Sequence, residues 1–304
     1  MDASWGMGRR RAGVDEGMMR DEERRDELVA GPPPGAGAVL LALAVGLATA
    51  LGFTGVLRLF TTSLAIHTFL FEVAFLLGVV AYLSTRAVDV PRVLRLGPVP
   101  GAVYWPALKL GVALVVANVA AAALLGPPAR EVEFVAEART PLERVALVAG
   151  VAIAAPVIEE ALFRGLIQGV LERRLHHWLA IGLAGAAFGA LHGPESGAFF
   201  ALWSLPVGWI VWRSGSVRPA IVVHGLNNLI GLMLLIIGRS AAPPEPVDLS
   251  PGDVAVIVGL LALMGLWAAS ACRQVAGRLE ATPLGERRNP DGEARVRTPS
   301  DDGG

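Results

Sequence analysis

Long apolar runs, separated by short clusters of arginine, glycine and proline, dominate the chain. A helix rises about 1.5 Å per residue, so about 20 apolar residues cover about 30 Å of hydrocarbon. Measured against that length, the pattern predicts eight spans, near 38–57, 64–83, 103–125, 145–172, 178–192, 198–212, 218–238 and 253–272. The fifth and sixth runs are short for a full crossing and read as partial or re-entrant segments. The expected fold is all-α: a polytopic transmembrane helix bundle of about eight spans, with any polar site in a cavity inside the membrane. No internal repeat of solenoid period is visible.

Composition sharpens this picture. Hydrophobic residues make up 54% of the 304 and charged residues 17%, against about 25% charged in a typical soluble domain. The charges also gather at the ends, with six arginines and eight acids in residues 1–30 and six of each in 273–304. Residues 1–37 therefore read as a polar N-terminal tail ending in a proline hinge (GPPPGAG, 31–37), and 38–142 as three helices and an external loop. Residues 143–238 form a four-helix core, 239–272 an external loop and the last helix, and 273–304 a C-terminal tail, disordered from about 279. No secretory signal is visible ahead of the first apolar run, so that run is expected to remain in the mature protein. A lone cysteine, Cys272, excludes an internal disulfide or a thiol metal cluster made by one chain. A net charge of −1 without a basic block argues against a nucleic-acid partner.

The arginines set the orientation. With the N-terminus in the cytoplasm, nineteen fall on the cytoplasmic side, and only Arg58, Arg130, Arg139, Arg144 and Arg239 fall outside. The positive-inside rule then predicts both termini in the cytoplasm. Lys109 lies four residues from Trp105, where it is expected to snorkel to the headgroups. Trp178, Trp203, Trp209 and Trp212 read as interface anchors, and His176 and His177 as an interfacial polar cluster.

A charge at the bilayer centre costs about 2.5–3.5 kcal/mol on insertion scales, so ionisable groups inside the spans need a reason. The fourth span carries Glu159, Glu160 and Arg164. Glu160 and Arg164 are four apart and share a face, which suits a structural ion pair. Glu159 points about 100° away, without that partner. Pro156 is expected to kink the helix and free a carbonyl. The fifth span ends in Phe188-Gly189-Ala190-Leu191-His192, and the seventh carries His224 and Asn228 on one face. His67 and Glu72 in the second span are five apart and read as supporting polarity. By depth, Glu159 and His192 each lie about 20 Å from the cytoplasmic boundary, but His224 lies only about 9 Å from Arg218. That mismatch requires tilt, a shifted boundary or an unwound start to the seventh helix.

A carboxylate beside a histidine suits general-base activation of water, and a histidine and an asparagine on one face suit an oxyanion. These are parts of an amide hydrolase with no covalent nucleophile, and no G-x-S-x-G motif is present. Glu159-Glu160-x-x-x-Arg164, Phe188-x-x-x-His192 and His224-x-x-x-Asn228 resemble the three signature motifs of the CPBP family, the CAAX prenyl endopeptidase and bacteriocin-processing proteins. Residues 208–216 (GWIVWRSGS) resemble the turn before the last motif there, and the resemblance covers about 143–235. It implies an intramembrane glutamic endopeptidase in which Glu159 and His192 activate water, His224 and Asn228 hold the oxyanion, and Glu160 and Arg164 support them.

The implied partners are the bilayer and a membrane-associated protein or peptide substrate; oligomeric state is not specified. With 25 Arg against one Lys, a GC-rich bacterial source is expected, hence the inner membrane, where prenylated substrates are not expected. No cofactor is required, although Glu, His and Asn also suit a divalent metal, which keeps a metallopeptidase open. A proton-coupled transporter and a non-catalytic scaffold or immunity protein also remain open.

Overall fold

A computed structural model describes residues 33–86, 88–125, 134–238 and 249–281. Among these residues every regular element is helical. The eight long helices are α1 (Ala36–Leu57), α2 (Leu64–Ser84), α3 (Tyr104–Leu125), α4 (Pro141–Glu172), α5 (His177–Leu191), α6 (Gly193–Ser214), α7 (Arg218–Gly238) and α8 (Pro251–Glu280). Six of them, α1 to α4, α7 and α8, are long and apolar enough to cross a membrane, and α5 is a shorter apolar helix. Large apolar side chains such as Leu40, Phe60, Leu202 and Leu266 are exposed on the outside, as a surface solvated by lipid requires. The chain is an integral membrane protein. The N-terminal tail to residue 32 and the centres of the two loops expected to be external, 126–133 and 239–248, lie outside the described residues.

The helices associate in hairpins where glycine removes side-chain bulk. A Cβ on Gly78 would fall 2.9 Å from the Gly46 Cα, so α1 and α2 touch backbone to backbone. A Cβ on Gly189 would fall 2.2 Å from the Gly197 carbonyl, which brings α5 and α6 equally close. This is the small-residue packing that membrane helices use in place of a hydrophobic driving force. Helix α4 lies centrally, packed against α2, α5, α6 and α7, while α3 joins α7 to α8.

Helix α4 starts at a capping box. The Thr140 hydroxyl accepts from the Glu143 N–H at 3.2 Å, and the Glu143 carboxylate accepts from the Thr140 N–H at 2.8 Å, with Pro141 at the first helical position. Its backbone then widens twice into π turns, at Gly150–Ala154 and Glu160–Gln168, on either side of the regular turn Ala155–Glu159. Such turns shift the register of the side chains that follow and are frequent at functional sites.

Two boundaries differ from the pattern-based reading. The sixth helix runs from Gly193, not 198, because Gly193 takes φ +82° and reverses the chain directly after α5. The last helix continues eight residues past 272 to Glu280, where Arg213 pairs with Glu280 at 2.6 Å and Lys109 donates to Gln274 at 3.0 Å. The C-terminal tail thus begins later than 273, and residues 282–304 lie outside the described residues. Helix α7 begins at Arg218 as expected. Its first residue, Arg218, donates to the Leu96 carbonyl at 2.8 Å, and the preceding Val217 N–H donates to the Arg95 carbonyl at 2.9 Å. That loop is itself sunk against α4, where a Cβ on Gly165 would fall 2.5 Å from the Leu94 carbonyl. The start of α7 is thus tied to the loop that packs on Gly165 of α4. The helix is regular from Arg218 onward, so an unwound start does not account for the short distance to His224.

Candidate active site

The two adjacent glutamates of α4 end in different surroundings. Glu160 opens the second π turn and is fully buried, as is Arg164. The Arg164 Nη1 lies 3.1 Å from Glu160 Oε1, its Nη2 donates to Ser204 Oγ at 2.6 Å, and the guanidinium sits 4.3 Å from the centre of the Phe188 ring. A carboxylate, a hydroxyl and a π face thus surround the buried guanidinium, whose Nε has no hydrogen-bond partner among the described residues.

Glu160 Oε1 also lies 2.9 Å from His224 Nδ1. An ionised carboxylate only accepts hydrogen bonds, so His224 donates through Nδ1 and its Nε2 is left facing the other way. It faces Glu159, whose Oε2 is 3.7 Å off, beyond a direct hydrogen bond. The Glu159 side chain is 25% exposed where that of Glu160 is sealed. One acid thus anchors the histidine and the other is left reachable beside it.

His192 ends α5, a helix of 15 residues. It rises about 22 Å, shorter than the hydrocarbon thickness of a bilayer. Its Nδ1 is 2.9 Å from the Phe188 carbonyl. A carbonyl can only accept, so Nδ1 carries a proton, and the tautomer this selects has its lone pair on Nε2. The ring packs 4.5 Å from Phe188 and 4.3 Å from Phe200, and Phe188 in turn meets His224 edge-on at 5.8 Å. Asn228, one turn after His224, donates from Nδ2 to the Val151 carbonyl in the first π turn at 2.9 Å. Glu159, Glu160, Arg164 and His224 form one connected group; His192 joins it through Phe188, and Asn228 through the α4 backbone.

Several participants escape motif reading. Gln168, buried one turn after Arg164, donates to the Gly208 carbonyl at 2.9 Å and to Glu172 at 2.7 Å. The pairs Arg164/Gln168 and Ser204/Gly208 are each four apart, so a polar stripe on α4 meets a small-residue stripe on α6, a signal that periodicity carries. Trp203 is not an interface anchor: it is 4% exposed and its ring lies 5.1 Å from that of His224. By contrast, Trp178 is exposed, and Trp212 stacks on His177 at 3.9 Å as an interfacial cluster would. Glu72 of α2 lies within electrostatic range of Glu159, and its Oε2 is buried without a hydrogen-bond partner among the described residues.

Among the described residues no three His, Cys, Asp or Glu side chains are placed to hold one metal ion. Glu159 and His224 bring two donors together, whereas a catalytic zinc takes about three protein ligands.

Residues 141–230 match the family model described as type II CAAX prenyl endopeptidase, Rce1-like. The matched segment runs from the start of α4 into α7 and contains all six site residues, in agreement with the resemblance carried by the three motifs. Helices α1 to α3 and α8 lie outside it. No curated protein and no solved structure matches the chain.

Proposed function

We propose that the protein is an intramembrane glutamic endopeptidase that hydrolyses a peptide bond in a membrane-associated protein or peptide. The observation that carries this reading is the division of labour between adjacent acids, one sealed in an ion pair and the other open beside a histidine. Glu159 is the general base on water, aided by the Nε2 lone pair of His192. His224, which as an imidazolium donates through Nδ1 to Glu160 and through Nε2 to the oxyanion, and Asn228, anchored by Val151, stabilise the negative charge that forms as water adds to the carbonyl. The proton taken by Glu159 is returned to the leaving amine as the C–N bond breaks. Glu160 and Arg164 position His224 and take no part in the bond changes.

The low-dielectric setting favours this arrangement, because fixed donors act there without competition from bulk water. Both termini are assigned to the cytoplasm of a bacterial inner membrane on the arginine distribution, which places Glu159 and His192 well inside the bilayer. The substrate therefore presents its scissile bond within the membrane thickness, and the family match does not by itself make that substrate prenylated.

The test is Glu159→Gln. New peptide termini in reconstituted membranes, mapped by mass spectrometry, are expected with the wild type and absent with Glu159→Gln, while thermal unfolding is unchanged. Termini generated equally by both proteins would overturn the reading. Cleavage abolished by a strong chelator and restored by a divalent ion would replace the glutamic mechanism with a metal-dependent one.

A further inference from the structure

A primary amide is ambiguous as an oxyanion donor: rotated by half a turn, it presents its oxygen instead of its N–H. Asn228 meets the problem through the backbone of α4. In the first π turn the Ala155 N–H donates to the Gly150 carbonyl, five residues back. Val151 thereby loses the donor that an α-helix would supply to it, which is that same Ala155 N–H. Its donor in the wider register is the nitrogen of residue 156, and residue 156 is proline, which has no N–H. The Val151 carbonyl is left without a backbone donor in either register.

That carbonyl accepts from Asn228 Nδ2 at 2.9 Å. Since a carbonyl cannot donate, only the NH₂ end of Asn228 can face it, and the flip is decided by chemistry. The other end is held as well, because Asn227 Nδ2 lies 3.4 Å from Asn228 Oδ1. One amide proton of Asn228 is engaged and the second is left for a ligand. The helices come close enough for this because residue 225 is glycine: a Cβ there would fall 3.1 Å from the Ala152 carbonyl, adjacent to Val151.

We propose that Pro156 is a positioning residue for the site: by withholding an N–H from the Val151 carbonyl, it creates the acceptor that fixes the amide of Asn228. The kinetic part of this inference rests on the peptidase reading, whereas the structural part does not, so the experiment reads the two separately. Restoring an N–H with Pro156→Ala lets residue 156 donate to Val151 and releases Asn228 to rotate.

The experiment is a double-mutant cycle of Pro156→Ala and Asn228→Ala in the full chain, reconstituted in lipid nanodiscs. By thermal unfolding, Asn228→Ala is expected to lower Tm by several degrees in the wild-type background and by less than half as much beside Pro156→Ala, where Val151 no longer needs the amide. Equal shifts in the two backgrounds overturn the proposal. On an acyl-anchored fluorogenic peptide that the wild type cleaves, Pro156→Ala is expected to lower kcat by about ten-fold or more with KM within about two-fold. The double variant is expected to be no slower than Asn228→Ala alone. An unchanged kcat, or losses that multiply, overturns the proposal. Should Pro156→Ala fail to fold, Asn228→Asp replaces it. A carboxylate set against the Val151 carbonyl is expected to lower Tm further than Asn228→Ala does, and an equal Tm overturns the proposal. If wild type and Glu159→Gln cleave alike, the peptidase reading fails while the Tm coupling still decides the anchoring of Asn228.

Discussion

Glu160 and His224, on helices 64 residues apart in sequence, meet at 2.9 Å in a site sealed from solvent, and Arg164 approaches the same carboxylate oxygen at 3.1 Å. Removing one partner of a buried ion pair leaves an uncompensated charge, which costs about 3–5 kcal/mol. Glu160→Ala is therefore expected to destabilise the protein by about that amount through the stranded Arg164. Glu159→Ala, at a quarter-exposed position, is expected to stay within about 1 kcal/mol of the wild type. Reversible unfolding of the two variants in mixed micelles checks this. Equal losses would mean that the neighbouring acids do not differ in role.

The Arg164 guanidinium gives a second, graded prediction. Its hydrogen bond to Ser204 involves a charged donor in a buried setting, so Ser204→Ala is expected to cost about 1.5–3 kcal/mol. Phe188→Leu removes the π face beneath the same group and is expected to cost about 2 kcal/mol from that contact alone. The two losses share one partner, so the double variant is expected to deviate from additivity by at least about 0.5 kcal/mol. Strict additivity would show that Arg164 does not link them.

The span map was readable because the bilayer imposes a length and a composition that propensity arguments alone lack. Glu160 and Arg164 were readable for a similar reason: a four-residue spacing on a helix face survives even where the backbone widens. The docking of the α7 start was not, because it depends on Leu94 to Leu96 packing against α4, a contact between segments about 70 residues apart that leaves no periodic trace. Gly165 was the residue to notice, since a glycine beside an arginine in an otherwise bulky helix marks close backbone approach. Trp203 was misread because composition cannot separate an aromatic ring at the membrane interface from one turned inward onto His224. The hydrogen bond from Asn228 to Val151 was half legible: Pro156 announces a freed carbonyl, but the π register decides which one.

The α5–α6 hairpin supplies a controlled pair of substitutions. A Cβ on Gly189 would fall 2.2 Å from the Gly197 carbonyl, whereas one on Gly182, two turns earlier, meets nothing within 4 Å. Gly189→Ala is expected to force the helices apart at a cost of about 1–3 kcal/mol or more and to move His192, which follows three residues later. Gly182→Ala is expected to leave stability and cleavage unchanged. Similar thermal unfolding of the two variants would show that the helices are not in close contact at Gly189.

Gly165 connects the loop before α3 to the histidine on α7. A Cβ at 165 would lie 2.5 Å from the Leu94 carbonyl, and backbone so close cannot give way as the tip of a flexible side chain would. The displaced loop holds the start of α7 through Arg95–Val217 and Leu96–Arg218, and His224 lies about 9 Å further along that helix. Gly165→Ala is thus expected to move His224 relative to Glu160 without changing any residue of the site. Because a misplacement of about 1 Å costs up to about 100-fold in rate, kcat is expected to fall by at least about ten-fold. Gly231→Ala, on α7 where a Cβ meets nothing within 4 Å, is the control and is expected to retain wild-type turnover. Full activity in folded Gly165→Ala would show that the loop does not set the position of α7.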